Sequence, residues 1–323
     1  MAEPRRSGAP GGRPQRSSRA GGRALSDHAV SLLARIGIEA FVALSAYVLV
    51  LTGRISFGQQ AFFALGAYAG GLATAVYGAP LPVGIALGTG AGALGGALLA
   101  VPAARARGLA FAAASLAWGE LVRLALLGFR FQVPAGPDLV GPAGPDGFRG
   151  IRALFVSGLT MGSYVAAIWV LLAATALALA WTTRSRWGEA MRMVGEDEGA
   201  AAVAGVRVHR VTVTTLAASG ALAGLGGALF AHYATYVEPG HADVMLGVHS
   251  LAYGLIGGLG TPLGPILGVA LDVGLLESLR FLAGYRMIVF GGLVMVFLAR
   301  RPRGLLDEVT VHRLSGWLGG RRR

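Results

Sequence analysis

The sequence predicts an all-α protein that crosses a membrane several times. Of its residues, 54% are hydrophobic and only 14% are charged, whereas soluble domains carry about 25% charged residues. The apolar residues form runs close to the length of about 20 residues that a membrane-spanning helix needs. These runs indicate a polytopic helical bundle with re-entrant or broken helices and about eight full spans.

Charge and glycine content support the same class. The chain has 52 glycines, no cysteine and a formal net charge of +12, and its basic residues are all arginines. Glycine favours close helix packing in lipid, and the lack of cysteine excludes disulfides and thiolate metal sites. Because the arginines lie in tails and loops beside apolar runs, they are expected to set topology and to attract membrane lipid, not nucleic acid.

Three parts are predicted along the chain. Residues 1–27 are rich in Arg, Gly, Ser and Pro, which is typical of a disordered tail, here cytoplasmic. Residues 28–303 form the transmembrane domain, and residues 304–323 form a basic cytoplasmic tail. In the first span, Glu39 is expected to pair with Arg35 near the membrane edge.

The longest polar stretch inside the apolar chain is the loop 183–210. Arg-rich short loops beside spans lie on the cytoplasmic side, and the glycine spacing predicts a helical hairpin within the loop. A structured loop between two spans is suited to receive force from a soluble partner, although a merely solvated linker is the alternative. The residues singled out in it are Glu189, Arg192, Gly195, Glu196, Asp197 and Gly205.

Two breaks in the apolar pattern are candidates for a solute path. The first contains Ser56, Gly58 and Gln59, where amide groups and helix N-terminal N–H groups can bind a carboxylate. The alternative is that these side chains cap the helix or tie it to a neighbour. The second break is rich in glycine and contains Gly257, Gly258 and Gly260.

A count of crossings favours a re-entrant segment over residues 58–77. With the Arg-rich tail inside, five full crossings before the loop 183–210 would place Arg105, Arg107 and the loop outside, against the positive-inside rule. A segment that returns to its own side repairs the count. A tail on the outer side, or a missing first span, repairs it equally well.

The remaining ionisable residues are expected at headgroup level. Glu120 and Arg123 lie one turn apart, and Asp272 is close in sequence to Glu277 and Arg280 near a helix end. Neither G-x-S-x-G nor H-E-x-x-H occurs in the chain, so an intramembrane enzyme is a weak alternative. The clustered histidines His232, His241 and His249 are expected at the interface, and no metal site, cofactor or catalytic residue is predicted.

Several ordered motifs resemble those of the inner-membrane permeases of branched-chain amino acid ABC importers, and best their LivM branch. They are GRISFGQQAFFALGAYAGGL, RGLAFAAASLAWGELVR, GEAMRMVGEDEGAAAVAGVRVHR, SGALAGLGGALFAHYATYVEP, IGGLGTPLGPILGVAL and RPRGLL, and together they reach from residue 53 to residue 306. Members of this family usually have one or two further spans before the first motif, and only one is visible here.

The resemblance implies a multi-pass permease subunit in a prokaryotic cell membrane, importing leucine, isoleucine and valine. Its partners would be a second homologous permease, two cytoplasmic ATP-binding subunits and an extracytoplasmic solute-binding protein. The loop 183–210 would be the coupling loop that docks on an ATPase. The chain has no G-x-x-x-x-G-K-[ST], as expected if partners handle ATP. Urea or short amides are the alternative substrates, and a stand-alone channel is less favoured because it would not need the loop.

Overall fold

The structure is a computed structural model, which describes residues 17–135, 138–276 and 285–300. Its α-helices in chain order are α1 (Ser17–Val50), α2 (Gln59–Gly71), α3 (Leu81–Ala103), α4 (Gly108–Gly128), α5 (Ala153–Val156), α6 (Met161–Thr183), α7 (Arg186–Glu196), α8 (Glu198–Val203), α9 (Val208–Ala234), α10 (Val244–Gly257), α11 (Leu263–Val269) and α12 (Arg286–Arg300). Two helices continue as π-helix, α2 over Leu72–Val76 and α11 over Ala270–Leu276. Short 3₁₀ turns span Gly144–Asp146 and Pro239–Ala242.

One small antiparallel sheet accompanies the helices. Its strands lie in the order β1 (Val133–Ala135), β2 (Asp138–Pro142), β3 (Phe148–Arg149) and β4 (Tyr236–Val237). The register pairs Val133 with Val140, and Phe148 with Val237. The sheet thus joins the loop after α4 to the end of α9.

The predicted fold class, a polytopic helical bundle, is confirmed. Within the described residues, 5 helices are long and apolar enough to cross a membrane: residues 28–50 of α1, α3, α4, α6 and α9. Two shorter apolar helices cover Val244–Gly257 and Leu263–Gly274.

The bundle has two ends. Helices α7 and α8 lie at one end, which we call the loop face, and the β-sheet lies at the other, which we call the sheet face. Helix α6 leads from α5 beside the sheet to α7, and α9 leads from α8 back to β4. Because both helices run between the two faces, they serve as references for the direction in which the other helices run.

Helix α1 ends at the loop face, where Tyr47 packs in one cluster with Met191 and Val194 of α7. The 23 apolar residues 28–50 extend about 34 Å at 1.5 Å per residue, so residue 28 lies towards the sheet face. The helix already begins at Ser17, within the segment predicted to be a disordered tail. Residues 17–27 and the loop 183–210 therefore lie towards opposite ends of the bundle, as in the alternative of a tail on the outer side.

The prediction of a re-entrant segment over residues 58–77 is wrong, because this part of the chain crosses. Arg54 contacts Glu198 of α8 at the loop face, whereas Thr74 contacts His232, near the end of α9 at the sheet face. Residues 54–58 lie outside any helix, and α2 with its π-helical end completes the passage. With this crossing counted, Arg107 and the loop 183–210 share the loop face without any re-entrant segment.

Helices α10 and α11 form a hairpin that turns near the loop face. Leu259 in the turn packs against the cluster of Met191 and Val194. A Cβ on Gly257 would overlap the carbonyl oxygen of Gly264, so the two helices touch through their backbones. The predicted tail at 304–323 lies outside the described residues.

Glycines bring α2, α3 and α9 into direct backbone contact. A Cβ on Gly92 of α3 would overlap the carbonyl oxygen of Gly220, and one on Gly66 of α2 would overlap that of Gly224. Lipid tails provide no hydrophobic drive for helix association, so such close approach supplies the packing energy. The many glycines of the sequence thus form the centre of the bundle.

We predict that Gly92→Ala destabilises the isolated protein, whereas Gly90→Ala on the same helix does not. The added methyl at residue 92 meets backbone, which cannot move aside, and overpacking of this kind costs about 1–3 kcal/mol. At Gly90 nothing lies within 4 Å of an added Cβ. Thermal unfolding of the purified variants, followed by tryptophan fluorescence, measures the difference. Equal melting temperatures would contradict the close contact of α3 with α9.

Candidate functional site

The loop 183–210 folds into two helices that are fixed to the bundle. Ser185 caps α7 by accepting a hydrogen bond from the Trp187 amide at 3.2 Å. Asp197 caps α8 by accepting from the Gly199 and Ala200 amides at 2.7 and 3.1 Å. Met191, Val194 and Ala201 are buried against Tyr47, Val48 and Val211. The loop is therefore a seated hairpin of helices and not a loose linker.

The residues singled out in this loop divide into an outward and an inward set. Glu189, Glu196 and Asp197 are exposed. Arg192 turns inwards and donates to the Thr183 carbonyl oxygen at 2.5 Å. Gly195 packs on the turn after α1, where an added Cβ would lie 2.7 Å from the Leu51 carbonyl oxygen.

Gly205 has φ +84°, and nothing lies within 4 Å of an added Cβ. It occupies the turn between α8 and α9, in the left-handed region that favours glycine. Its position explains the end of α8 and requires no contact with a partner.

A buried arginine links this loop to the first candidate path segment, and it was missed in the sequence. Arg54 is 2% exposed, and its guanidinium donates to the carbonyl oxygens of Ala106 (2.7 Å) and Ala104 (3.2 Å). It also donates to the Glu198 carboxylate at 2.8 Å. The other oxygen of that carboxylate contacts Arg107 at 2.5 Å.

The sequence carried a signal for this residue. Arg54 is a charged side chain directly before a long apolar helix, and an ionisable residue at such a place is a functional candidate by default. Its planar fork of donors suits simultaneous contact with a carboxylate and two carbonyl oxygens, which a lysine cannot reproduce. Glu198 is one of the acidic residues of the loop 183–210, but nothing in the sequence distinguishes it from the other acids of that loop.

Residues 55–58 extend from Arg54 towards α4, and side-chain hydroxyl groups accept hydrogen bonds from the amides of Phe57 and Gly58. The Phe57 amide donates to Ser115 Oγ at 2.9 Å, and the Gly58 amide donates to Ser56 Oγ at 3.2 Å. An added Cβ on Gly58 would lie 2.9 Å from the Ser115 carbonyl oxygen. Ser56 therefore binds within the segment, whereas Ser115 and the missing side chain of Gly58 hold the segment close to α4.

Gln59 starts α2 at this depth and is 0% exposed. Among the described residues, neither its amide nitrogen nor its amide oxygen has a hydrogen-bond partner. A buried amide without a partner costs about 1–3 kcal/mol, so such a group requires water or a ligand as its explanation. Next to it, the Gln60 side chain is wedged between Gly119 of α4 and Gly247 of α10.

The second candidate segment lies elsewhere. Gly257 and Gly258 are buried in the turn of the α10–α11 hairpin, and Gly260 follows in the same turn. Gly247 and Gly257 are ten residues apart on α10, which is about 15 Å along a helix. The structure therefore joins the two segments through one helix but does not merge them into a single site.

Two acids expected at headgroup level lie inside the bundle instead. Tyr253 Oη lies 3.1 Å from Glu39 Oε2 and 2.9 Å from Asp272 Oδ2. Glu39 also lies 3.6 Å from Arg35, which confirms the predicted pair. Glu39 stands near the middle of residues 28–50, so the cluster ties α1 to both arms of the α10–α11 hairpin. Glu277 and Arg280 lie outside the described residues.

The sheet face carries two shallow grooves lined by arginine. One of about 430 Å³ is lined by Arg149, Arg152 and Tyr236, and one of about 400 Å³ includes Arg130 and Arg149. Close by, burial lowers the pKa of His241, and the charge of Glu238 opposes that shift. This face therefore offers charged side chains to a molecule on the side opposite the loop.

Comparison with known proteins agrees with this architecture. A family profile described as branched-chain amino acid transport system / permease component matches residues 28–298. The high-affinity branched-chain amino acid transport system permease protein LivM of Escherichia coli K12 is 28% identical over 278 residues, which cover 80% of this chain and 65% of that protein. LivM of Salmonella typhimurium matches equally.

A second permease protein, LivH of Escherichia coli K12, is 28% identical over 153 residues, which cover 46% of this chain and 49% of LivH. No solved structure matches the chain significantly. The chain spans slightly less than two thirds of the length of the LivM proteins that it matches. Because the family profile covers most of its length, the chain belongs to the family of permease components of branched-chain amino acid transport systems.

Proposed function

We propose that this chain is a permease subunit of an ABC importer that moves branched-chain amino acids across a cell membrane, driven by ATP hydrolysis in partner subunits. The observation that carries the proposal is the seated α7–α8 hairpin, which is linked through Glu198 and Arg54 to a buried path segment. The printed function of the LivM and LivH relatives supports the choice of substrate.

The hairpin is proposed to be the docking element for an ATP-binding subunit. It presents exposed acids, Glu189 and Glu196, beside the exposed apolar side chains of Met193 and Val203. Its inner side is buried against the end of α1. Force applied to the outer surface would therefore reach α1, α9 and residues 54–58 together. This role places the loop face in the cytoplasm.

We propose positions for the other partners from the same geometry. A solute-binding protein would meet the sheet face, where Arg130, Arg149 and Arg152 line the grooves. A second permease of the LivH kind would pack beside this subunit, as the similarity to both LivM and LivH suggests. The solute would pass the Gln59 region, whose buried amide can bind a carboxylate or an ammonium group.

A single cysteine at Val203 tests the docking role. The native chain has no cysteine, and Val203 is 92% exposed. We expect Val203→Cys to resist a membrane-impermeant thiol reagent in intact cells and to crosslink to the ATP-binding subunit in membranes. Leu139→Cys on the sheet face, 60% exposed, is the matched control and should be labelled in intact cells. The reverse labelling pattern would contradict both orientation and docking.

Removal of Glu198 should be far more damaging than removal of Arg107. Glu198→Ala leaves Arg54 buried without its carboxylate, and breaking a buried pair costs about 3–5 kcal/mol. Arg107→Ala removes the contact of a side chain that is 68% exposed, and exposed pairs contribute about 0–1 kcal/mol. Thermal unfolding of the purified permease and ATP-driven leucine uptake in proteoliposomes measure both effects. Equal losses from the two variants would exclude Arg54 as the link.

Replacement of Gln59 separates function from stability. Gln59→Met keeps the size of the side chain and removes an amide without partners, so we expect the melting temperature to stay the same or rise. Leucine uptake should fall at least about tenfold if the amide contributes about 1.4 kcal/mol or more to solute passage. Ser115→Ala is the contrasting variant, because it strips the Phe57 amide of its acceptor and should lower the melting temperature. Full uptake by Gln59→Met would assign Gln59 a structural role, and competition by urea or short amides would redirect the choice of substrate.

A further inference from the structure

We propose that a groove between α7 and the start of α9 binds an anionic phospholipid of the leaflet at the loop face. The groove has a volume of about 500 Å³. The transport role does not require such a site, and lipid binding there is independent of which solute is carried. The proposal is based on the chemistry of the walls, the charges at the rim and the depth of the groove.

The walls of the groove are mostly apolar. Trp187 and Ala190 of α7 form one side, and Val206, Val211 and Val213 form the other. Trp187 is 41% exposed, so its ring offers an apolar surface beside the groove. A surface of this kind suits a hydrocarbon chain better than a hydrated polar ligand.

The rim of the groove is cationic. Arg207, His209 and Arg210 line it, and all three side chains are exposed. Within the parts of the chain that the structure describes, none of the three forms an ion pair. Glu198, the acid of the neighbouring α8, is held instead by Arg54 and Arg107. The rim is therefore complementary to a phosphate group.

The depth of the groove selects an amphiphile over a soluble partner. Val213 and Thr214 belong to α9, one of the helices with the length and apolarity of a membrane span. Trp181, at the end of α6, is 77% exposed, and exposed tryptophans mark the membrane–water interface. The groove thus opens from headgroup level towards the hydrocarbon layer, where a soluble subunit cannot follow. A phospholipid matches this gradient with an anionic head and an apolar chain.

The test measures lipid binding by the purified, full-length protein in detergent-free nanodiscs of zwitterionic phosphatidylcholine. Phosphatidylglycerol is titrated into the nanodiscs, and native mass spectrometry detects the bound lipid. Each arginine near an anionic surface contributes about a factor of five to affinity, so Arg207→Gln with Arg210→Gln should weaken binding about 30-fold. Arg184→Gln with Arg186→Gln is the matched control. It removes the same charge from the same loop, outside the groove lining, and should leave most of the binding intact.

A second variant distinguishes a seated lipid from general attraction of charge. Ala190→Phe fills the apolar wall and leaves both arginines in place, so it should also weaken phosphatidylglycerol binding, at least about fivefold if one buried ring displaces part of a chain. Equal losses from the groove pair and the control pair, or full binding by Ala190→Phe, would overturn the proposal. The proposal would also be overturned if Arg207→Gln with Arg210→Gln left lipid affinity unchanged but abolished binding of the ATP-binding subunit. That result would assign the rim to the ATP-binding subunit. Because the readout is lipid mass, failure of the transport proposal leaves the result interpretable.

Discussion

An extended stretch of backbone inside the membrane constrains the rest of the structure. Residues 54–58 lie outside any helix, and non-helical backbone in a membrane protein is tolerated only where protein or a water-filled cavity satisfies it. Ser115 of α4 accepts from the Phe57 amide, and Gly247 of α10 lies against the Phe57 carbonyl oxygen. Helices α4 and α10 must therefore enclose this segment, and the bundle is arranged around that requirement.

The buried guanidinium of Arg54 satisfies polar groups at the end of the segment that lies at the loop face. Its donors reach two carbonyl oxygens in the turn after α3 and the carboxylate of Glu198. One arginine thus satisfies two carbonyl groups of this turn and attaches the α7–α8 hairpin to it. The guanidinium carbon of Arg54 also lies 5.2 Å from the centre of the Phe111 ring, and this contact further fixes the guanidinium plane.

The class of fold, the helical hairpin in the loop 183–210 and the glycine-rich packing could be predicted from composition, run length and glycine spacing, because each has a local sequence signal. The direction of residues 54–76 could not. Whether a short apolar run returns or crosses depends on its partners at both ends, namely Glu198 for Arg54 and His232 for Thr74. These partners lie more than a hundred residues away, and the positive-inside rule admits either topology once the side of the tail is free.

The burial of Glu39 and Asp272 could likewise not be predicted from the local sequence pattern. Glu39 with Arg35 one turn away is typical of a pair at the membrane edge, and only the fold shows that Tyr253 and Asp272 enclose it. In the same way, Gly257 and Gly258 could indicate a pore or a close helix contact, because both need a missing side chain. A Cβ on Gly257 would overlap the Gly264 carbonyl oxygen, so the structure shows a close helix contact at this glycine.

The contact between the α7–α8 hairpin and residues 54–58 indicates where conformational change would concentrate. Met191, Val194 and Gly195 hold α7 against the end of α1, so the hairpin and α1 should move as one body. Helices resist bending through their own hydrogen bonds, whereas residues 54–58 have few bonds of their own and depend on α4 and α10. A displacement of Glu198 would move Arg54 directly, because the two side chains are in contact. The extended backbone of residues 55–58, which follows Arg54, is the part that can change conformation with the smallest loss of hydrogen bonds. The same residues that make this segment expensive to bury therefore make it suited to move.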